Sequence, residues 1–195
     1  MKRVKTAVLI SGRGSNMLAL LDAAQDPDYP ADITLVISNR PEAAGLHKAD
    51  ARGIKAICID HRDYKTREDF EAELHAALLA HNIEFVACAG FMRILTGQFV
   101  QKWSERMINI HPSLLPKYKG LHTHKRALEA GDKEHGCSVH WVSEGVDEGG
   151  VIAQAKITIK KEDTPDSLAK RLIKTELDLY PKALAMAIER CGLSS

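Results

Sequence analysis

The chain has 195 residues, 45% hydrophobic and 27% charged, the balance of a soluble protein with one core of useful size. Lys and Arg number 27 against 26 for Asp and Glu, a formal net charge of +1. That balance excludes a global field for nucleic acid or an anionic membrane, so any anion site has to be built locally.

Four cysteines (Cys58, Cys88, Cys137, Cys191) stand far apart, with no metal-ligand or redox spacing. They are expected to be small apolar core residues in a reducing compartment, which points to the cytoplasm. The start, MKRVKTAVLISGRG, has too short an apolar run for an export signal and reads as a first strand. No segment approaches membrane-spanning length.

In chain order, short β-branched runs alternate with longer amphipathic stretches. The pattern predicts a strand at Thr6–Ile10, a helix at Asn16–Ala24, a strand at Ile33–Ser38 and a helix at Ala43–Arg52. Next come a strand at Ala56–Ile59, a helix at Arg67–His81, a strand at Phe85–Ala89 and a helix at Thr96–Lys102. The last third predicts strands at Ile108–Ile110, Ser138–Val142 and Val151–Ile159, with helices at Lys125–Ala130 and Pro165–Ile188. Runs apolar on both faces, such as Phe85–Ala89, suit strands buried between helix layers. The expectation is an α/β fold: a doubly wound, mostly parallel sheet with helices on both faces, forming a single domain over 1–195. Ligands of such sheets bind beyond the C-terminal ends of the strands. Between Pro112 and Gly136 the sequence predicts a long, polar, Gly- and Pro-bearing loop around one short helix, a form that is usually functional.

The first strand ends in Ser11-Gly12-Arg13-Gly14-Ser15-Asn16 and leads into a helix. Glycines allow a tight turn, and the free amides of a helix start can face an anion. Ser15 and Asn16 add donors and are candidate helix caps. A nicotinamide fingerprint would need Gly where Met17 stands, and Asn39-Arg40 replaces the acid that grips a ribose. An arginine there would suit a phosphorylated dinucleotide, however, which stays open. The Gly-Lys-Ser/Thr of a P-loop is absent as well. A capped turn without a ligand, or a non-catalytic phosphate-binding module, stays open on this motif.

Asn109 and His111, two apart on an extended segment, share one face and emerge at the sheet edge before Pro112. An amide donor beside an imidazole is what attack on a carbonyl needs: the amide stabilises an oxyanion, and the imidazole donates to it or moves protons. Asp147, in the loop Glu144-Gly145-Val146-Asp147-Glu148-Gly149-Gly150, is the candidate carboxylate that would raise the His111 pKa. A zinc site from His111, His122, His124 and Asp147 is a weaker alternative, because helical i, i+4 spacing is missing and no cysteine lies near. Ser113 as a nucleophile is weaker still, without a Gly-x-Ser-x-Gly turn.

With ISGRGSN, AGFMRIL (Ala89–Leu95), NIHPSLLPKYKGLHTH (Asn109–His124) and GCSVHWVSEGVDEGG (Gly136–Gly150) in order, nearly the whole chain resembles the phosphoribosylglycinamide formyltransferases, a folate-dependent family. The resemblance implies a Rossmann-like sheet, 10-formyltetrahydrofolate as co-substrate and no metal. It further implies Asn109 and His111 at the reacting formyl group, with Asp147 behind His111. Gly14, Ser15 and Asn16 would hold the substrate phosphate, with Lys174 and Glu176 near the glycinamide and ribose. The folate would lie against Met92, Arg93, Ile94 and Leu95, against Asn109, and against Ser143, Glu144, Gly145, Val146 and Asp147, with Arg67 nearby. The partners implied are these two small molecules, not nucleic acid or membrane, and the assembly a monomer or weak homodimer. Methionyl-tRNA formyltransferase and formyltetrahydrofolate hydrolase share the Asn-x-His and Asp pattern, but each typically carries a further domain, for which 195 residues leave no room. Two positions depart from the family pattern: Arg13, where relatives carry a smaller polar residue, and Glu148, which stands between Asp147 and the glycines.

Overall fold

A computed structural model describes residues 2–193. The chain runs β1 (Val4–Ile10), α1 (Ser15–Ala23), β2 (Ala31–Ser38), α2 (Ala44–Asp50), β3 (Lys55–Cys58), α3 (Arg67–Ala80) and β4 (Phe85–Cys88). It continues through α4 (Gly97–Lys102), β5 (Met107–His111), α5 (Thr123–Glu129), β6 (Glu134–Trp141), β7 (Val151–Thr158) and α6 (Pro165–Arg190).

The strands form one seven-stranded sheet in the order β3-β2-β1-β4-β5-β6-β7. The pairs from β3 through β5 are parallel, and β5–β6 and β6–β7 are antiparallel. The chain winds outward from β1 to β3, then returns to place β4 on the other side of β1. The strand order therefore reverses between β1 and β4, and the loops leaving these two strands lie side by side, where an α/β crevice forms.

Strand alternation explains the two layers. Val4, Val8 and Ile10 of β1 join one apolar cluster with Met17 and Leu20 of α1 and Tyr180, Ala183 and Leu184 of α6. Ala7 and Leu9 join the other, with Phe70 and Leu74 of α3, Phe99 of α4 and Trp103 just after it. In β2 the register slips where Thr6 pairs with Ile33 and Ala7 with Leu35. This bulge at Thr34 lets Ile33 and Val36 face the same layer. Each fully buried Leu, Ile or Phe contributes roughly 1.5–3 kcal/mol.

Three expectations are corrected. The side chains of Ser15 and Asn16 do not cap α1: Gly14 is the N-cap, with φ +72° and no side-chain bond. A Cβ at Gly14 would lie 3.0 Å from the Gly45 backbone, so both the left-handed turn and the close approach call for glycine. Strand β6 starts at Glu134, inside the segment expected as loop. There Glu134 pairs with Thr158 and Gly136 with Lys156, and a Cβ on Gly136 would meet the Ala155 carbonyl at 2.2 Å. Cys58 is exposed at the end of the edge strand β3 and Cys191 is half-buried, so only Cys88 and Cys137 are core cysteines. Burial pushes the thiols of Cys88 and Cys137 up to about 12.

Candidate active site

A cleft of about 790 Å³ opens beyond the ends of β4 and β5, within the usual range for a small-molecule site. One end is polar, with Asn16 from α1 and Glu176 from α6. The other is walled by Met92, Arg93, Ile94 and Leu95 after β4 and by residues 143–147 after β6, and Asn109 and His111 line the same cleft.

The central group is brought together from two loops and two strands. His111 is 6% exposed, and both ring nitrogens face acceptors. Nδ1 lies 3.2 Å from Asp147 Oδ2, and Nε2 lies 2.9 Å from the Tyr118 carbonyl oxygen. A neutral ring satisfies one of these acceptors and an imidazolium both. Burial opposes the cation and prevails, holding the His111 pKa below its ordinary value even though the Tyr118 carbonyl and Asp147 both favour protonation. The raised pKa expected from sequence is thus corrected. Asp147 pulls in the expected direction, but desolvation of the ring is the larger effect.

Burial alone would raise the Asp147 pKa. The His140 side chain, the Gly120 amide at 2.9 Å and the charge of both imidazoles outweigh it and keep the carboxyl below its usual range. Asp147 sits at φ +52°, and Tyr118 and His122, on the facing loop, also have positive φ. Such backbone in non-glycine residues persists only where the surroundings hold it, as the Gly120–Asp147 bond does here.

His140 belongs to this group and was not singled out from the sequence. It is 2% exposed on β6, directly opposite Asn109 in the β5–β6 ladder. Its Nδ1 lies 2.8 Å from the Trp141 carbonyl and therefore carries a proton. Its Nε2 lies 3.3 Å from Asn109 Nδ2 and 3.4 Å from Asp147 Oδ1. In the neutral ring Nε2 accepts from the Asn109 amide, and in the imidazolium it donates to Asp147. The one sequence signal for it was a histidine within the predicted strand Ser138–Val142, on the strand that follows the Asn-x-His segment.

At the polar end, Asn16 Nδ2 donates to Glu176 Oε2 at 2.8 Å. Burial raises the Glu176 pKa against the opposing Asn16 bond. Gly14 and Ser15 sit at the start of α1 beside this end without lining the cleft, and the Leu18 amide is the first to bond back along the helix, to Gly14. The earlier first-turn amides have no acceptor within the helix. Arg13 points outward, its carbonyl taken by Lys48 at 2.8 Å.

Two expected site residues lie elsewhere. Lys174 is exposed, two positions from Glu176 and so on the opposite side of α6, and Arg67 is exposed at the start of α3; neither lines the cleft. Met92 and Ile94 are 58% and 57% exposed, which suits a ligand wall and not core packing. Ser113 is fully buried, and its hydroxyl donates to the Lys117 carbonyl at 2.6 Å. His124 Nδ1 lies 3.0 Å from His135 Nε2. Among the described residues, no group of three or more His, Cys, Asp or Glu side chains is arranged to hold a metal ion. Glu148 leaves Asp147 undisturbed: it pairs with Lys119 at 3.0 Å, while Gly149 packs so closely that a Cβ would lie 1.7 Å from the Trp141 carbonyl.

A doubly wound sheet that brings a carboxamide, a carboxylate-paired imidazole and a buried carboxyl into one cleft beside its switch point is the frame of an α/β group-transfer enzyme. The formyl transferase family matches residues 4–184, and the chain belongs to that family. It is 50% identical over its whole length to the trifunctional purine biosynthetic protein adenosine-3 of Drosophila melanogaster, of which it spans only 14%. It is 41% identical to the phosphoribosylglycinamide formyltransferase of Haemophilus influenzae, with 91% of this chain and 84% of that protein aligned. Among solved structures, the phosphoribosylglycinamide formyltransferase of Brucella melitensis is 47% identical, with a TM-score of 0.91 over 94% of this chain and 95% of that one. The glycinamide ribonucleotide transformylase 1 of Symbiobacterium toebii is 39% identical, with a TM-score of 0.93 over 96% and 89%. In the described residues no helix is long and apolar enough to cross a membrane.

Proposed function

We propose that the chain transfers a formyl group from 10-formyltetrahydrofolate to the amine of 5-phosphoribosylglycinamide, a step of de novo purine synthesis, through one domain over 1–195. The observation that carries this is the meeting of Asn109, His111 and Asp147 in one cleft that is also lined by the polar pair Asn16 and Glu176 and by the apolar wall Met92, Ile94 and Leu95. The relatives named above support the choice of substrates.

In this reading the first-turn amides of α1, with Gly14, Ser15 and Asn16, hold the substrate phosphate, and Glu176 accepts from its amine. Lys174 and Arg67, both outside the cleft wall, are left without a contact role. The donor's flat ring lies against Met92, Arg93, Ile94 and Leu95 and the loop from Ser143 through Glu144, Gly145 and Val146 to Asp147. The amine nitrogen attacks the formyl carbon, a C–N bond forms, and the carbonyl oxygen gains charge. The Asn109 amide donates to that oxygen, and His111, protonated in the complex, turns its Nε2–H from the Tyr118 carbonyl to it while Asp147 holds Nδ1 and favours the protonated ring. As the tetrahedral centre collapses, the bond to the folate nitrogen breaks and that nitrogen takes up the proton the amine has lost. One oxyanion donor contributes about 3 kcal/mol to such a transition state, and alignment of the two reactants contributes more. The partners proposed are these two small molecules, the assembly a monomer or weak homodimer, and the compartment the cytoplasm, which suits cysteines that are all free.

The test is the near-ultraviolet spectrum of the chain with formyl-folate, in the presence and absence of the glycinamide substrate. Deformylation that requires the amine supports the transferase. Deformylation without it points to a hydrolase, and none with either points to a binding module.

A further inference from the structure

The stretch after β4, from Gly90 to Thr96, is the donor wall of the function proposed above, and it has no regular secondary structure. Among the described residues, none hydrogen-bonds to the backbone of Arg93, Ile94 or Leu95. Its middle is thus open to a ligand and unsupported by its own backbone, so its shape depends on its ends.

Both ends are held by buried polar side chains from other elements. At the first, the Ser11 amide donates to the Gly90 carbonyl at 3.1 Å and the Ser11 hydroxyl accepts the Met92 amide at 2.7 Å. That hydroxyl donates in turn to Asn39 Oδ1 at 2.5 Å, and Asn39 is 1% exposed, so the acceptor behind Ser11 is fixed. At the second, Glu71 of α3 accepts the Thr96 amide on Oε1 at 2.7 Å and the Thr96 hydroxyl on Oε2. Glu71 is 4% exposed, and among the described residues no basic side chain pairs with it. A buried carboxylate without a cationic partner is costly, and its hydrogen bonds all go to this one junction.

We propose that Ser11 and Glu71 are positioning residues for the formyl donor. They stretch the unbonded backbone of Arg93–Leu95 between two fixed points, and so set the line of amides and carbonyls that a heterocycle's polar edge meets. The side-chain bonds of Ser11 go to this stretch and to Asn39, so the frame they set belongs to the donor end. Small displacements of such a frame have large effects on reactant alignment.

The inference rests on the proposed function, and the experiment separates the two. A folate analogue that carries no formyl group, 5,8-dideazafolate, is titrated into the wild-type chain and the variants Ser11→Ala, Glu71→Ala and Glu71→Gln, and KM is measured for both substrates. Glutamine keeps an oxygen for the Thr96 amide and offers its NH2 to the Thr96 hydroxyl, so it preserves both contacts. The expected result is roughly tenfold weaker analogue binding and a matching rise in donor KM for each alanine variant, which removes both side-chain hydrogen bonds from one end of the stretch. The KM for the glycinamide substrate stays unchanged, and Glu71→Gln stays near wild type. If Glu71→Ala does not fold, Glu71→Asp, one methylene shorter, replaces it with the same split expected. Alanine variants that bind the analogue as tightly as wild type, a parallel rise in both KM values, or a glutamine variant no better than alanine would overturn the positioning role. A wild-type chain that does not bind the analogue overturns the proposed function itself.

Discussion

The Asp147 carboxylate approaches His111 Nδ1 at 3.2 Å through one oxygen and His140 Nε2 at 3.4 Å through the other. A single carboxylate thus joins the imidazole of β5 to an imidazole of β6 that itself touches Asn109, and the three proposed catalytic groups share one electrostatic unit. Groups coupled in this way respond to substitution together.

The first consequence is a pKa. Burial already holds the His111 value below the ordinary histidine range, and Asp147 partly offsets this. Asp147→Asn removes an opposite charge, so the His111 midpoint read by NMR should fall further. Turnover should drop on the order of a hundredfold, as for loss of an acid–base partner. An unchanged midpoint removes Asp147 from the mechanism.

The polar end of the cleft can be tested separately. Glu176 Oε2 accepts from Asn16 at 2.8 Å and has a raised pKa. Glu176→Gln should raise the KM for the amine substrate roughly 10–100-fold, the loss of a charged hydrogen bond, and leave the donor KM unchanged. Steady-state kinetics in each substrate checks it, and an equal rise in both would count against the assignment.

Acid should destabilise the fold. His111, His124 and His135 all have lowered pKa values, chiefly through burial, and His135 is brought down to about 4. The unfolded chain binds these protons more readily than the folded one, so stability is complete above about pH 6.5 and is lost as the pH falls toward the His135 value. Urea unfolding at neutral pH and near pH 5 should give a lower midpoint in acid. His135→Gln should reduce that difference, and a midpoint independent of pH would contradict the linkage.

A glycine supports the Asp147 loop. A Cβ at Gly149 would lie 1.7 Å from the Trp141 carbonyl, while the Trp141 amide bonds to Gly150 at 3.0 Å. Gly149→Ala should force the loop off β6, costing about 2 kcal/mol as overpacking does. Thermal unfolding reads the cost, and assays at saturating substrates should show kcat falling as Asp147 is displaced.

The amino-acid sequence by itself determined the order and kind of every strand and α-helix among the described residues, because strand and helix periods are local and each run is long enough to show its own; the short 3-10 turn at His61–Asp63 was not among them. The pair Asn109 and His111 was legible for the same reason: residues two apart on a strand share a face whatever the strand packs against. Asp147 was legible as a loop carboxylate, and the close resemblance of its surroundings marked it. The tertiary structure alone decided the rest. The start of β6 at Glu134 depends on pairing with β7, and Gly136, which reads locally as a turn residue, is required by the Ala155 carbonyl across the ladder. His140 joins the site only through its register opposite Asn109, and Lys174 leaves it because the helix turns it away from Glu176. The net sign of the His111 shift was likewise beyond reach, since desolvation depends on everything packed around a ring. A carboxylate neighbour can be guessed from a motif, but burial is a property of the whole fold.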